Sequence, residues 1–154
     1  MSTDERAPDL LQELYSTGLM VGLLVDIELE RAGVPTQLFS FLGWVSILQP
    51  VTPGRLGLET GLPATTIRDH VRRLVERGDV ERVANPADGR SYHLVLTRKG
   101  TRLARRGWPA VVAAHERVAA HLERPIAEHI ATARELRRAV RLAVEEARLE
   151  SVRR

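Results

Sequence analysis

The chain has 154 residues, 44% of them hydrophobic and 4% aromatic, which is enough for one domain with a mainly aliphatic core. It contains no cysteine, so disulfides, thiolate zinc sites and thiol-based redox sensing within the chain are excluded. The net charge of +3 is unevenly distributed, because residues 50–107 carry 12 basic and 6 acidic residues while acidic residues prevail elsewhere. A basic middle suits a polyanionic partner, although scatter in an arginine-rich chain gives the same balance.

The start of the chain, MSTDERAPDL, differs from a secretory signal, which has a basic region followed by an apolar one. The longest apolar run, LMVGLLV, is too short to span a bilayer. We therefore expect a cytoplasmic protein with no membrane partner.

Two helices are predicted before residue 50. Apolar residues recur at helical spacing from Pro8 to Ala32, and Gly33 follows as a stop signal. A second helix is predicted from Pro35 to Gln49-Pro50, where proline cannot continue the backbone hydrogen bonding.

A helix-turn-helix pattern follows these two helices. Thr52 then Pro53 is an N-cap followed by proline at the first helical position, and Gly61 supplies a tight turn. The next helix is predicted from Pro63 to about Arg77. Its apolar residues fall at i, i+4 and i+7, which makes one buried stripe of Ile67, Val71 and Leu74.

The pattern then changes to a β-hairpin and two further helices. Val80–Val83 and Tyr92–Leu96 alternate like strands on either side of the turn sequence Asn85-Pro86-Ala87-Asp88-Gly89. Thr97 is expected to cap a helix that kinks or breaks at Trp108-Pro109. A last helix begins near Pro125 and carries an apolar seam from Ile126 to Ala147.

In this order the motifs resemble the MarR family of regulators over nearly the whole chain. The sharpest are Gly61-Leu62 with Thr65-Thr66-Ile67, Leu74–Gly78, Asn85–Arg90 and Leu96–Gly100. The resemblance implies a mainly α fold with a small β-hairpin wing, a winged helix-turn-helix with N- and C-terminal dimerisation helices. The predicted bounds are residues 1–34 and 101–154 for the dimerisation helices and residues 35–100 for the DNA-binding module.

This sequence departs from the family pattern at several positions that affect the DNA sequence to be recognised more than the fold. Pro63 stands where a helix-capping serine is common, and Arg68-Asp69 replaces a common Ser-Arg pair. His70 replaces an apolar residue, and Gly89 replaces a second wing arginine. Gly57 and Thr60 weaken the first helix of the pair.

The predicted recognition helix has a polar face opposite its buried stripe. An arginine there can bond two atoms of a guanine edge, and a threonine can contact phosphate or a thymine methyl group. Asp69 can accept a bond from cytosine, but pairing with an arginine of the same helix is favoured. The candidate DNA-binding residues of this helix are Thr65, Thr66, Arg68, Asp69, Arg72 and Arg73.

The predicted wing adds a second candidate contact. Arg90 at the hairpin tip can enter the minor groove and read its width. Asp88 can hold the Arg90 guanidinium by a charge-assisted pair, or it is an ordinary turn aspartate. Arg98 and Lys99 at the start of the next helix are candidate phosphate contacts or solvated residues.

The apolar stripes of the first and last helices favour a symmetric homodimer, although packing on their own wing module would also bury them. The resemblance implies a transcription factor, usually a repressor, that binds an inverted repeat in double-stranded DNA and is often released by a small molecule. It also places a ligand cleft between dimerisation helices and wing module. Residues that could line this cleft, although each is more often part of a core, are Tyr15, Phe41, Trp44 and Trp108.

Two other functions stay open at the level of sequence. His115-Glu116 and Glu128-His129 could approach each other and bind a metal, which would make a metal-responsive regulator. A winged-helix shell could also serve as an architectural or protein-interaction module without a defined operator. An enzyme is not expected, since phosphate-binding glycine loops and nucleophile elbows are absent from the sequence, and no cofactor is predicted.

Overall fold

A computed structural model describes residues 9–152 of the chain as six helices and one antiparallel hairpin. The predicted mainly α fold with a β-hairpin wing is confirmed. In chain order the elements are α1 (Leu10–Arg31), α2 (Phe39–Leu48), α3 (Pro53–Thr60), α4 (Ala64–Glu76), β1 (Val80–Ala84), β2 (Tyr92–Leu96), α5 (Arg98–Ala119) and α6 (Ile126–Val152).

The chain divides into two compact units, residues 1–114 and residues 115–154. The first contains the helix-turn-helix, the wing and α1, and the second consists of the end of α5 and α6. All eight predicted DNA-contact residues on α4 and the wing, and Arg98 on α5, lie in the first unit.

Two predicted helix boundaries differ from the structure. The second helix begins at Phe39 and not at Pro35, because Leu38 takes the left-handed conformation with φ 65° and interrupts the helical path. The expected break at Trp108-Pro109 is wrong, since α5 is helical through Pro109. A proline removes only its own N–H from the helical ladder, and the bonds on either side hold this helix together.

The main core lies beneath the helix-turn-helix and the wing. Leu56 of α3 and Leu94 of β2 are fully buried, so both elements are anchored by a leucine at the centre of the core. A stripe on α4 packs into the same cluster, as the predicted period requires. The buried members of the cluster are Phe41, Leu42, Val45, Val51, Leu56, Ile67, Val71, Leu74, Val80 and Leu94.

A smaller cluster ties the end of α1 to α2 and α5. It consists of Leu29, Val34, Phe39 and Ala110. Gly107 makes the close approach possible, because a Cβ at this position would lie 2.2 Å from the ring of Phe39. The C-terminal end of α1 is therefore fixed to the wing module, while its N-terminal half is exposed.

The hairpin pairs Val80 with Leu96 at its base and Ala84 with Tyr92 at its tip. The free edge of β2 is also partly paired. Val51 and Leu94 exchange two backbone hydrogen bonds of 3.2 and 2.8 Å, and the Gln49 side-chain oxygen accepts from the Leu96 N–H at 2.8 Å. These bonds hold the wing against the segment between α2 and α3.

The helix α1 has an apolar surface that the described residues leave uncovered. Only Glu28 and Leu29 are buried, and the exposed apolar side chains include Leu11, Tyr15, Leu19, Met20 and Leu23. With 22 residues and an 18-residue stretch of mean hydropathy 1.3, α1 is the one helix among residues 9–152 long and apolar enough to cross a membrane. This qualifies the expectation drawn from the short run LMVGLLV. Length and composition alone do not distinguish a membrane span from a helix that packs against protein, since both kinds of helix have the same apolar composition.

A buried carboxylate joins the end of α4 to the start of α5. Asp79 has no exposed surface, and its oxygens lie 2.8 Å from Arg77 Nε and 3.3 Å from Lys99 Nζ. The Thr97 hydroxyl donates to the Gly78 carbonyl at 2.7 Å and accepts from the Gly100 N–H at 3.1 Å, so it caps α5 as predicted. The recognition helix, the wing and α5 are thereby joined at one point.

Gly100 is required by this junction, because a Cβ there would lie 1.9 Å from the Asp79 carbonyl oxygen. The Gly100→Ala variant should unfold at a lower temperature, with a loss of about 1–3 kcal/mol, since overpacking against backbone cannot be relieved by a side-chain rotation. Thermal unfolding followed by circular dichroism measures this loss. Gly54→Ala in the first turn of α3 is the control, since no atom of the described residues lies within 4 Å of its Cβ. Equal melting temperatures for the two variants would contradict the proposed contact.

Candidate nucleic-acid interface

The helix-turn-helix is built by local signals at both ends of its turn. The Thr52 side chain accepts a hydrogen bond from the Arg55 N–H at 3.2 Å, which caps α3. Gly61 ends α3 with φ 72°, a conformation that favours glycine. The Thr60 hydroxyl then accepts from the Leu62 N–H at 3.3 Å, and α4 begins after Pro63 without a side-chain cap.

The helix α4 presents a polar face opposite its buried stripe. Thr65, Arg68 and Arg72 are exposed on that face. Thr66, Asp69 and Arg73 are half-buried, so the six predicted residues do not form one equally accessible set. The exposed three are free to meet a groove of duplex DNA, as the spacing predicts.

Asp69 pairs with arginines of its own helix, as favoured from the sequence. Its carboxylate lies 2.5 Å from the Arg72 guanidinium and 3.9 Å from that of Arg73. Glu76 contacts Arg72 from the other side at 3.2 Å. The hydrogen bond that Arg72 donates to Asp69, followed by those it donates to Glu76, raises the pKa of Arg72 above its usual value. Arg72 is therefore held between two carboxylates in the free protein.

Arg68 stands in contrast to Arg72. Among residues 9–152 it makes no ion pair or side-chain hydrogen bond, and its side chain is exposed. An arginine without an internal partner can bond a base or a phosphate without first breaking an ion pair. Of the arginines on α4, Arg68 is thus the one whose guanidinium is exposed and unpaired within the described chain, and so available for a nucleic-acid contact.

The wing turn is shaped by side chains that bond to the backbone. Asn85 accepts from the Ala87 N–H at 3.1 Å and donates to the Ser91 hydroxyl at 2.6 Å. Asp88 accepts from the Arg90 N–H at 3.0 Å, and its carbonyl accepts from the Ser91 N–H at the same distance. The turn is closed by these bonds in the manner usual for Asn and Asp.

This geometry corrects the suggested role of Asp88. Its carboxylate bonds the backbone N–H of Arg90 and makes no ion pair with the Arg90 guanidinium. A side chain two residues away reaches the backbone more easily than the end of a long arginine. Asp88 is therefore a turn-forming residue, and the Arg90 side chain is exposed at the tip without an internal partner in the described chain.

The first turn of α5 carries Arg98 and Lys99, which differ in their surroundings. Arg98 is exposed and has no ion pair within the described chain. Lys99 binds inward, with its ammonium on Asp79 and on the carbonyl of Arg77. Arg77 also reaches the Gln37 carbonyl at 3.2 Å. The sequence analysis did not identify Arg77 and Lys99 as residues that stabilise the fold. The only sequence signal for this role was the acidic Asp79 directly after Gly78.

A cavity of about 390 Å³ lies between α2, β2 and the first part of α5. Trp44 and Trp108 line it, as the sequence suggested, together with Arg105 and Gln49. Phe41 belongs to the main core, and Tyr15 is 72% exposed on α1, so neither of these candidates lines the cavity. The cavity is mainly apolar with one cation, the composition that suits a small organic anion.

The histidines hypothesised to bind a metal lie in the second unit or at its start. Within residues 9–152 no group of three or more histidine, aspartate or glutamate side chains is placed to hold a metal ion.

Part of the chain matches the sequence pattern of a known family. Residues 32–91 match the sequence model of the MarR family. No curated protein sequence matches the chain.

Solved structures share the fold over most of the chain. A MarR-family regulator from Listeria monocytogenes, crystallised with a 26mer DNA, is 15% identical, with a TM-score of 0.76 over 91% of this chain and 96% of that one. MosR of Mycobacterium tuberculosis, in complex with DNA, is 21% identical, with a TM-score of 0.71 over 88% and 98%.

A third structure contains a small ligand. It is a MarR family protein of Mycobacterium tuberculosis in complex with salicylic acid, 27% identical, with a TM-score of 0.62 over 84% of this chain and 96% of that one. The chain is thus similar to the MarR family over residues 32–91, and its paired helices and wing form the same winged-helix fold as these MarR-family structures.

Proposed function

We propose that the protein is a dimeric, sequence-specific DNA-binding repressor that a small molecule releases from its operator. The observation that carries this proposal is the pair of unpartnered arginines, Arg68 on α4 and Arg90 on the wing tip, within one compact unit. A recognition helix suits the major groove, and a wing arginine suits the minor groove beside it. The two structures crystallised with DNA support this function by analogy.

The dimer is proposed from the apolar surface of α1. Leu11, Leu19, Met20 and Leu23 are each about two-thirds exposed, which is unusual for a helix that faces only water. In the second unit, α6 also exposes Val140, Leu142, Val144 and Leu149. A two-fold related copy of the chain is the simplest partner for both surfaces, because most homo-oligomers are two-fold dimers.

The effector is proposed to bind in the cavity lined by Trp44, Trp108 and Arg105. The tryptophan rings offer flat apolar walls, and the guanidinium can bond a carboxylate. The cavity borders both Leu96 of the wing and the first turns of α5, so an occupant contacts elements that join the wing to α4. Titration of the DNA complex with salicylate, a probe suggested by the ligand-bound relative, measures release.

The symmetry of the bound DNA site tests the proposal of a DNA-binding dimer. Genomic selection of bound fragments followed by footprinting should give an inverted repeat with half-site centres about 10 bp apart, because two recognition helices related by a dyad enter successive major grooves. Sedimentation should show a dimer at the same concentration. A stable monomer, or protection without a defined site, would instead support an architectural protein.

Arg68→Ala should weaken binding to the preferred operator by about 1–3 kcal/mol and relax base preference at one position, because a bidentate arginine contact is lost. Arg72→Ala should give a smaller loss, because Arg72 has to exchange Asp69 and Glu76 for DNA. Asp69→Asn should tighten binding to every sequence, since it removes a negative charge beside Arg72. Affinities on the operator and on single-base variants measure these effects, with Arg124→Ala in the second unit as a control. An equal loss on all sequences for Arg68→Ala would mean that this residue contacts phosphate only.

Arg90→Ala should lower affinity and reduce the slope of log affinity against log salt by about one, because one counterion-releasing contact is lost. The base preference in the major groove should stay the same. Asp88→Ala should weaken binding less and leave the slope unchanged, because it loosens the turn and keeps the Arg90 charge. A salt series for both variants, on the operator with A/T or G/C flanks, measures this. Wild-type affinity and slope for Arg90→Ala would show that the wing makes no contact with DNA.

A further inference from the structure

A second cavity, of about 580 Å³, lies directly against the recognition helix. It is bordered by α1, by the segment that leads to α2, by the turn before α4 and by α4 itself. Only Ser40 and Trp44 are shared with the cavity described above. The second cavity therefore has a different set of side chains in its walls.

One wall of this second cavity carries an unpaired acid. Asp26 on α1 is half-buried, and among residues 9–152 it makes no ion pair or hydrogen bond. A carboxylate that is partly removed from water without a partner is costly. An occupant with a positive charge would give Asp26 the partner that the rest of the chain does not supply.

The helix α4 borders the same cavity with two side chains, His70 and Arg73, whose hydrogen-bonding groups are also not fully partnered. His70 has a buried Nδ1 without a hydrogen-bond partner and meets the Phe41 ring edge-on at a centroid distance of 5.0 Å. Arg73, three residues later and so on the same side of α4, has only a loose contact of 3.9 Å with Asp69. Both residues border the cavity, and the Arg73 guanidinium can donate to an anionic group bound there.

The remaining walls combine apolar side chains with polar ones, namely Leu38, Phe41, Trp44 and Leu62 with Thr36, Gln37, Ser40 and Thr60. An acid on α1, an arginine and a histidine on α4, and apolar side chains that border the same cavity suit a ligand with both charges and an apolar side chain. We propose that this cavity binds a small zwitterion of the apolar α-amino acid class, with the ammonium group at Asp26 and the carboxylate at Arg73 and His70. This class differs from the monoanion that suits the first cavity, because a monoanion gives Asp26 no partner.

The proposed site includes a residue of the recognition helix itself. A carboxylate bound to Arg73 competes with Asp69, whose other partner is Arg72. Occupancy is therefore expected to alter the ion pairs on the face of α4 that carries Arg68 and Arg72. The binding step is independent of any DNA activity and is measured without DNA.

The test is calorimetric titration of the full chain with L-phenylalanine and L-leucine. The wild-type protein should bind them, and Asp26→Asn should weaken binding about ten-fold or more, because a partly buried charge pair is lost. Glu30→Gln is the matched control, since it removes the same charge from the next turn of α1 outside the cavity. N-acetyl-L-phenylalanine, which lacks the ammonium group, should bind weakly and equally to the wild type and Asp26→Asn.

Three results would overturn the proposal. The first is the absence of binding of either amino acid to the wild type at millimolar concentration. The second is an equal loss in Asp26→Asn and Glu30→Gln, and the third is N-acetyl-L-phenylalanine binding as tightly as the zwitterion. Thermal unfolding of each free variant confirms that Asp26→Asn is folded. His70→Phe, which keeps the ring and removes the donors, should also weaken binding, and unchanged affinity in that variant would count against the carboxylate position.

Discussion

The buried Asp79 carboxylate is the constraint on which the arrangement of the DNA-binding module depends. It lies between Arg77 at the end of α4 and Lys99 at the start of α5, and it has no exposed surface. Removing one partner from such a group leaves a charge without compensation, which is far more costly than the loss of a surface pair. Gly100 allows the backbone of α5 to approach the Asp79 carbonyl, so one short segment fixes two helices and the wing.

This junction has a consequence for the charges of the interface. Arg77 and Lys99 are occupied inside the fold, and Arg72 is held by Asp69 and Glu76. A cation already paired must exchange one partner for another when it meets DNA, which reduces its net contribution to affinity. The positive charge of residues 50–107 thus overstates what is available to a phosphate backbone, and Arg68 and Arg90 carry more of the specific role.

The two cavities both border α2, and each also contacts an element of the DNA-binding surface. The first touches Leu96 and the early turns of α5, and the second touches His70 and Arg73 of α4. A ligand alters DNA affinity only if its binding energy differs between two arrangements of the protein. In the first cavity that difference would act through the wing and α5, and in the second it would act on the ion pairs of α4.

The sequence by itself determined the elements whose signals are local. The Thr52 cap, the Gly61 turn, the stripe of Ile67, Val71 and Leu74, and the closing of the wing by Asn85 and Asp88 each depend on residues within a few positions of one another. The start of α2 was misjudged, and of the kink or break expected at Trp108-Pro109 the break does not occur, because the same local signals permit more than one outcome.

Only the tertiary structure decided the contacts between distant parts of the chain. Arg77 with Gln37, Asp79 with Lys99, and the grouping of Asp26 with His70 join residues that no periodicity relates. The role of Asp88 was also decided there, since two bonding modes were open to its carboxylate and the closed turn selected the backbone N–H of Arg90. Local sequence fixes which helices and strands form because their hydrogen bonds are short-range. Which charges are paired or left free depends on how those elements pack.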